Sequence, residues 1–99
     1  MPYGYFGSMK TRPGHRDEIV AILLGGADGL RAAGCDLYAV GTSDTDDDTV
    51  FVSEIWASKE HHDKSLELPE TQAAIKRAMP MLTGDFTRQE MTIVGGLGV

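Results

Sequence analysis

The spacing of apolar positions along this chain switches between a period of two and one near 3.6, and each switch marks an element. Aromatic and small residues mix from Tyr3 to Lys10 and stop at the Pro-Gly turn of Thr11–Gly14, which predicts a first strand. Ile19, Val20, Leu23, Leu24, Ala27 and Leu30 then form one broad helical stripe, with Asp17 and Glu18 in its first turn. Gly25, Gly26 and Gly29 weaken that single helix and leave room for a break near Gly25, and Gly34 suits its C-terminal end. Cys35–Thr42 reads as a second strand, Ser43–Asp48 as a polar loop, and Thr49–Ala57 as a third strand rich in β-branched and aromatic residues. Ser58 is placed to cap a following helix whose apolar face runs through Leu66, Leu68, Ala74, Ile75, Ala78, Met79 and Leu82. Pro69 divides that stretch, Thr83-Gly84-Asp85 ends it, and Phe86–Val94 reads as a last strand. The glycine-rich residues 95–99 read as a mobile tail.

The resulting order, βαββαβ, predicts a ferredoxin-like α+β fold: a four-stranded antiparallel sheet with its helices on one face. In the third strand Val50 and Val52 point one way, and Phe51 and Ile55 the other. Neither side of the sheet is then polar, and an uncovered apolar face favours a second copy packed against it as a homodimer.

Ninety-nine residues make one domain over 1–99. A net charge of −6 argues against a nucleic-acid surface, and no apolar run approaches the roughly 20 residues of a membrane span. The first residues lack the pattern of a secretory signal, and one cysteine cannot pair within the chain; both point to the cytoplasm. The acidic run Asp44–Asp48 fails the calcium-loop pattern, with Thr49 and Ile55 where glycine and glutamate belong, so it reads as a solvated loop. Cys35 with adjacent His61 and His62 offers no zinc spacing, and Gly95–Gly98 opens no helix to cradle phosphate.

Glu54-Ile55-Trp56-Ala57-Ser58-Lys59-Glu60, followed by Asp63, Leu66, Pro69, Gln72-Ala73 and Ile75, resembles the antibiotic biosynthesis monooxygenases. Lys10–Gly14 and Arg88-Gln89-Glu90-Met91 are similar as well. The resemblance implies a dimeric α+β barrel with an apolar pocket between sheet and helices. It also implies oxidation of a planar aromatic phenol or quinol by dioxygen, with no metal, flavin or nicotinamide cofactor. Such chemistry is physically coherent, because an electron-rich phenolate itself reduces oxygen; the protein binds the anion, takes a proton and excludes water. Two positions depart from the family pattern. Ser65 stands where members commonly carry a histidine nine residues after the tryptophan, and the chain has no asparagine.

On this reading His62 is the candidate base and Ser65 a contact to a polar substituent, while Trp56, Tyr38, Phe6 and Met79 enclose the ring. The competing reading gives each a plainer part: Trp56, Tyr3, Tyr5, Phe6, Tyr38, Met79, Met81 and Met91 as core, His15, His61 and His62 as surface, and Cys35 as a small buried residue. Two alternatives to oxygenation follow: a non-catalytic dimer holding a small apolar ligand, and a haem-degrading relative, the latter opposed by the missing histidine.

Overall fold

A computed structural model describes residues 1–99. The chain forms β1 (Tyr3–Thr11), α1 (Arg16–Gly25), α2 (Ala27–Ala32), β2 (Cys35–Thr42), β3 (Thr49–Trp56), α3 (Lys59–Ser65), α4 (Pro69–Ala78), a 3-10 turn (Met79–Met81) and β4 (Leu82–Thr92). The sheet order is β2-β3-β1-β4 and every neighbouring pair is antiparallel, which is the ferredoxin-like βαββαβ arrangement expected from the sequence. No helix is long and apolar enough to cross a membrane.

The first helical stripe is two helices instead of one, and the second divides at Pro69 as expected. Gly26 separates α1 from α2, and Pro69 is the first residue of α4, where its missing N–H is tolerated. The end of the second helical stretch differs. Met79 lies in the 3-10 turn instead of α4, and Leu82 already belongs to β4, which runs Leu82–Thr92 instead of Phe86–Val94. Thr83-Gly84-Asp85 is a bulge inside that strand. Met9 pairs with Phe86 but Thr11 with Leu82, so β4 carries extra residues there. Gly84 takes them up at φ +90°, and the Thr83 hydroxyl donates to the Lys10 carbonyl while accepting from the Asp85 N–H. A turn-forming composition marks both a loop and a bulge, and only pairing with β1 distinguishes them.

Only 12 residues are buried, so the core is thin, and it divides in two. Ile19, Val50 and Leu82 form one cluster beneath α1 and the end of α4; Tyr3, Cys35 and Trp56 form the other at the opposite end of the strands. Strand register assigns the two faces. Tyr3, Tyr5, Val50, Val52, Trp56 and Tyr38 point to the helices, whereas Phe6, Phe51, Ile55 and Leu37 point away from them. The helices leave β4 bare: Phe86, Arg88 and Glu90 share the helix-facing side with Met9, Gly7 and Tyr5, yet all three stay exposed.

Candidate functional site

The chemistry-bearing residues converge at the Tyr3–Trp56 end of the helix-facing side. Ser58, in extended conformation before α3, accepts from the His61 N–H at 3.2 Å and shares a 2.6 Å hydrogen bond with His61 Nδ1. That cap starts α3 so that His62 and Ser65, three residues apart, turn toward the sheet while His61 stays outside. Gly34 lies directly beneath the His61 ring, at φ +103°.

His62 is 8% exposed and sits in a box of three aromatic rings. Its ring stacks on Tyr5 (5.1 Å, 22°), tilts against Tyr3 (5.1 Å, 47°) and meets Trp56 edge-on (5.6 Å, 80°). Nδ1 lies 3.0 Å from Asp63 Oδ1, which fixes the ring's orientation. Asp63 joins a wider ionic network, in which Lys59 Nζ reaches Asp63 Oδ2 and Glu90 Oε1 at 3.3 Å each, and the Tyr3 hydroxyl donates to Glu90 at 2.7 Å. His62 and Lys59 hold the Asp63 carboxyl below the usual aspartate range, and Tyr3 and Lys59 do the same for Glu90. Burial and the Glu90 carboxylate push the Tyr3 phenol up. A cavity of about 420 Å³, bounded by Pro2, Tyr3, Lys59, Glu90 and Thr92, opens this network to solvent at the β4 edge.

Trp56, 1% exposed, donates from Nε1 to Glu54 Oε1 at 2.8 Å. Glu54 is half-buried on the same side, and desolvation raises its pKa above that of an ordinary glutamate. Tyr38 is directly across the strand pair from Glu54, and burial pushes its phenol up too. Ser65 Oγ donates to the His62 carbonyl at 2.6 Å, so what it retains for a ligand is an acceptor oxygen.

Of the residues singled out from the sequence, His62, Ser65, Trp56 and Tyr38 therefore share one side and one end of the fold. Phe6 does not join them, because in β1 it alternates with Tyr3 and Tyr5 and points to the open face. Met79 does not either: it is exposed in the 3-10 turn beside the other core cluster. A second cavity, about 440 Å³, lies on the open face around Phe6, Phe51 and Ser53. Cys35 is buried and donates to the Leu37 carbonyl, with its thiol pushed up by burial. The acidic loop is held by Asp46, which accepts from the Asp48 N–H and Thr49 hydroxyl and pairs with Lys10. Sequence reasoning assigned no role to Glu54, Asp63 or Glu90. A lone carboxylate in the most apolar strand is the signal that singles out Glu54.

The family model described as antibiotic biosynthesis monooxygenase matches residues 2–77. A crystal structure from Chloroflexus aurantiacus J-10-fl, titled with the same family name, is 37% identical, with a TM-score of 0.87 over 97% of this chain and 96% of that one. A structure of that family name from Caulobacter crescentus CB15 is 22% identical (TM-score 0.86, 95% and 91% covered). Rv0793 from Mycobacterium tuberculosis is 18% identical (TM-score 0.84, 98% and 99% covered); these two show the fold alone. No curated protein matches the chain.

Proposed function

The chain belongs to the antibiotic biosynthesis monooxygenase family, and from that premise we propose that it oxygenates a planar phenol or quinol with dioxygen. The observation that carries this reading is the nearly buried His62 imidazole, oriented by Asp63 and walled by Tyr3, Tyr5 and Trp56. For a phenol with a free para position, uptake of one O2 places one oxygen atom on that carbon and releases the other as water, leaving a quinone; for a 1,4-quinol the same uptake at a free ring carbon leaves a hydroxyquinone and water. His62 takes the phenolic proton, which makes the ring electron-rich enough to reduce oxygen without a cofactor. The aromatic walls supply flat apolar surface, and Ser65 Oγ, which donates to the His62 main-chain carbonyl, keeps acceptor capacity.

The working unit in this reading is a cytoplasmic homodimer. Phe6, Leu37 and Phe51 stand 40–46% exposed on the open face, and a second copy packed there closes the barrel.

Oxygen uptake with a reduced naphthoquinol, wild type against His62→Ala, tests the proposal. The expected loss is about 100-fold, the usual scale of a positioned base. Equal rates remove His62 as the base, and no uptake above the spontaneous background in wild type removes the oxygenase. One observation favours a non-catalytic binding module instead: His62 itself fills much of the aromatic box. Ligand binding without oxygen uptake is the result that reading requires.

A further inference from the structure

Glu54 is the one acidic residue on the helix-facing side of the two central strands. It stands between two tyrosines, opposite Tyr5 of β1 and Tyr38 of β2, with His62 of α3 among its neighbours. No lysine or arginine pairs with it. Oε1 is fixed by Trp56 Nε1, and Oε2 accepts no hydrogen bond from the protein. A half-buried carboxyl with one donor and no cation is an unfavourable arrangement, since a glutamine at that position would satisfy the indole equally well without a charge to desolvate. What a glutamine lacks is a second oxygen that only accepts.

Resting on the phenol-binding reading above, we propose that Glu54 is a specificity-determining residue: its free oxygen accepts the O–H of a phenolic ligand and selects hydroxylated aromatics over their ethers and quinones. The indole holds the carboxyl in one orientation, so Oε2 would meet a ligand hydroxyl without a search through rotamers. An ether or a quinone carbonyl offers only acceptors and meets the carboxylate unpaired. A ligand that brings its own carboxylate is disfavoured, because no lysine or arginine stands beside Glu54 to offset the like charge; a phenol that ionises by giving its proton to His62 leaves the imidazolium beside Glu54 instead. The groups facing it from the elements around it are Tyr5 on β1, Tyr38 and Cys35 on β2 and His62 on α3, of which only His62 carries positive charge, and only when protonated.

The test uses an air-stable pair, 1-naphthol and 1-methoxynaphthalene, with binding measured by calorimetry for wild type and Glu54→Gln. Glutamine keeps the Trp56 hydrogen bond through its carbonyl and turns an N–H toward the ligand. Trp56 is the sole tryptophan, so an unchanged emission maximum verifies that the variant keeps the local packing. Wild type is expected to prefer naphthol by about tenfold or more, the scale of a hydrogen bond to a charged acceptor, and the variant to lose or reverse that preference. A preference that survives in Glu54→Gln, or that wild type never shows while binding both compounds, overturns the role of Glu54 and leaves the aromatic site standing. If wild type binds neither compound, the phenol-binding reading itself fails and this proposal with it.

Discussion

Glu54, two residues before Trp56 in β3, makes one contribution to the pH dependence of stability at the residue scale. Burial raises Glu54, so the folded chain binds more protons than the unfolded one between the ordinary glutamate value of about 4.3 and the raised value. Stability therefore falls as pH rises through that window. Asp63 and Glu90 act oppositely: their lowered values give stability that is complete above the ordinary carboxylate range and lost as pH falls through the folded values. Glu54→Gln removes only the first effect. In urea titrations at several pH values its stability relative to wild type should climb from about pH 4 upward and then level off, whereas an offset independent of pH would contradict the buried charge. Gly34 offers a second test at this scale. A Cβ there would lie 2.6 Å from the His61 ring, on a backbone at φ +103°, so Gly34→Ala should cost about 1–3 kcal/mol and lower the melting temperature by several degrees. An unchanged melting temperature would mean that α3 is not seated on Gly34. The sequence indicated Gly34 as a helix terminator and His62 as a candidate base, but not the partners that give each its role. Asp63 beside His62, and Glu54 beside Trp56, become legible only once the strand and helix bring their side chains to one end.

Elements were legible where local chemistry alone decides them. Ser58 caps α3, Pro69 opens α4 and Gly26 parts α1 from α2, because a cap, an N1 proline and a helix-weakening glycine act within a few residues. β4 was legible only in part. Thr83-Gly84-Asp85 carries the composition of a turn, and only its register with β1 makes it a bulge. Phe6 and Met79 illustrate the same limit: alternation relates Phe6 to Tyr3 and Tyr5, but which parity faces the helices depends on tertiary packing. Ser58→Ala should destabilise the fold by about 1 kcal/mol through the lost cap. It also releases the His61 ring, and with it the register of His62 against the three aromatic rings. The measurement is a melting curve paired with the near-ultraviolet dichroism of Trp56; loss of stability with no change in that signal would uncouple the cap from the site.

At the scale of the whole molecule, the two faces of one sheet differ in what they carry. The helix-covered side holds the imidazole, the carboxylates and the tyrosines, while the open side exposes Phe6, Leu37 and Phe51, with Ile55 buried and only Lys10 charged among the residues of its two central strands. Alternation in β3 already separated Phe51 and Ile55 from Val50 and Val52, so this division was the most legible part of the fold. A monomer seldom leaves a contiguous apolar patch beyond roughly 300–600 Å² in water, and pairing of two such faces removes both patches at once. Phe51→Asp places a charge at the middle of that face without touching the His62 end. The most direct measurement is the solution mass by light scattering at 10 µM or so, a concentration at which a standard-size interface holds. Paired open faces give twice 10.7 kDa for wild type and 10.7 kDa for Phe51→Asp, and a wild type that scatters as a single chain would contradict the pairing.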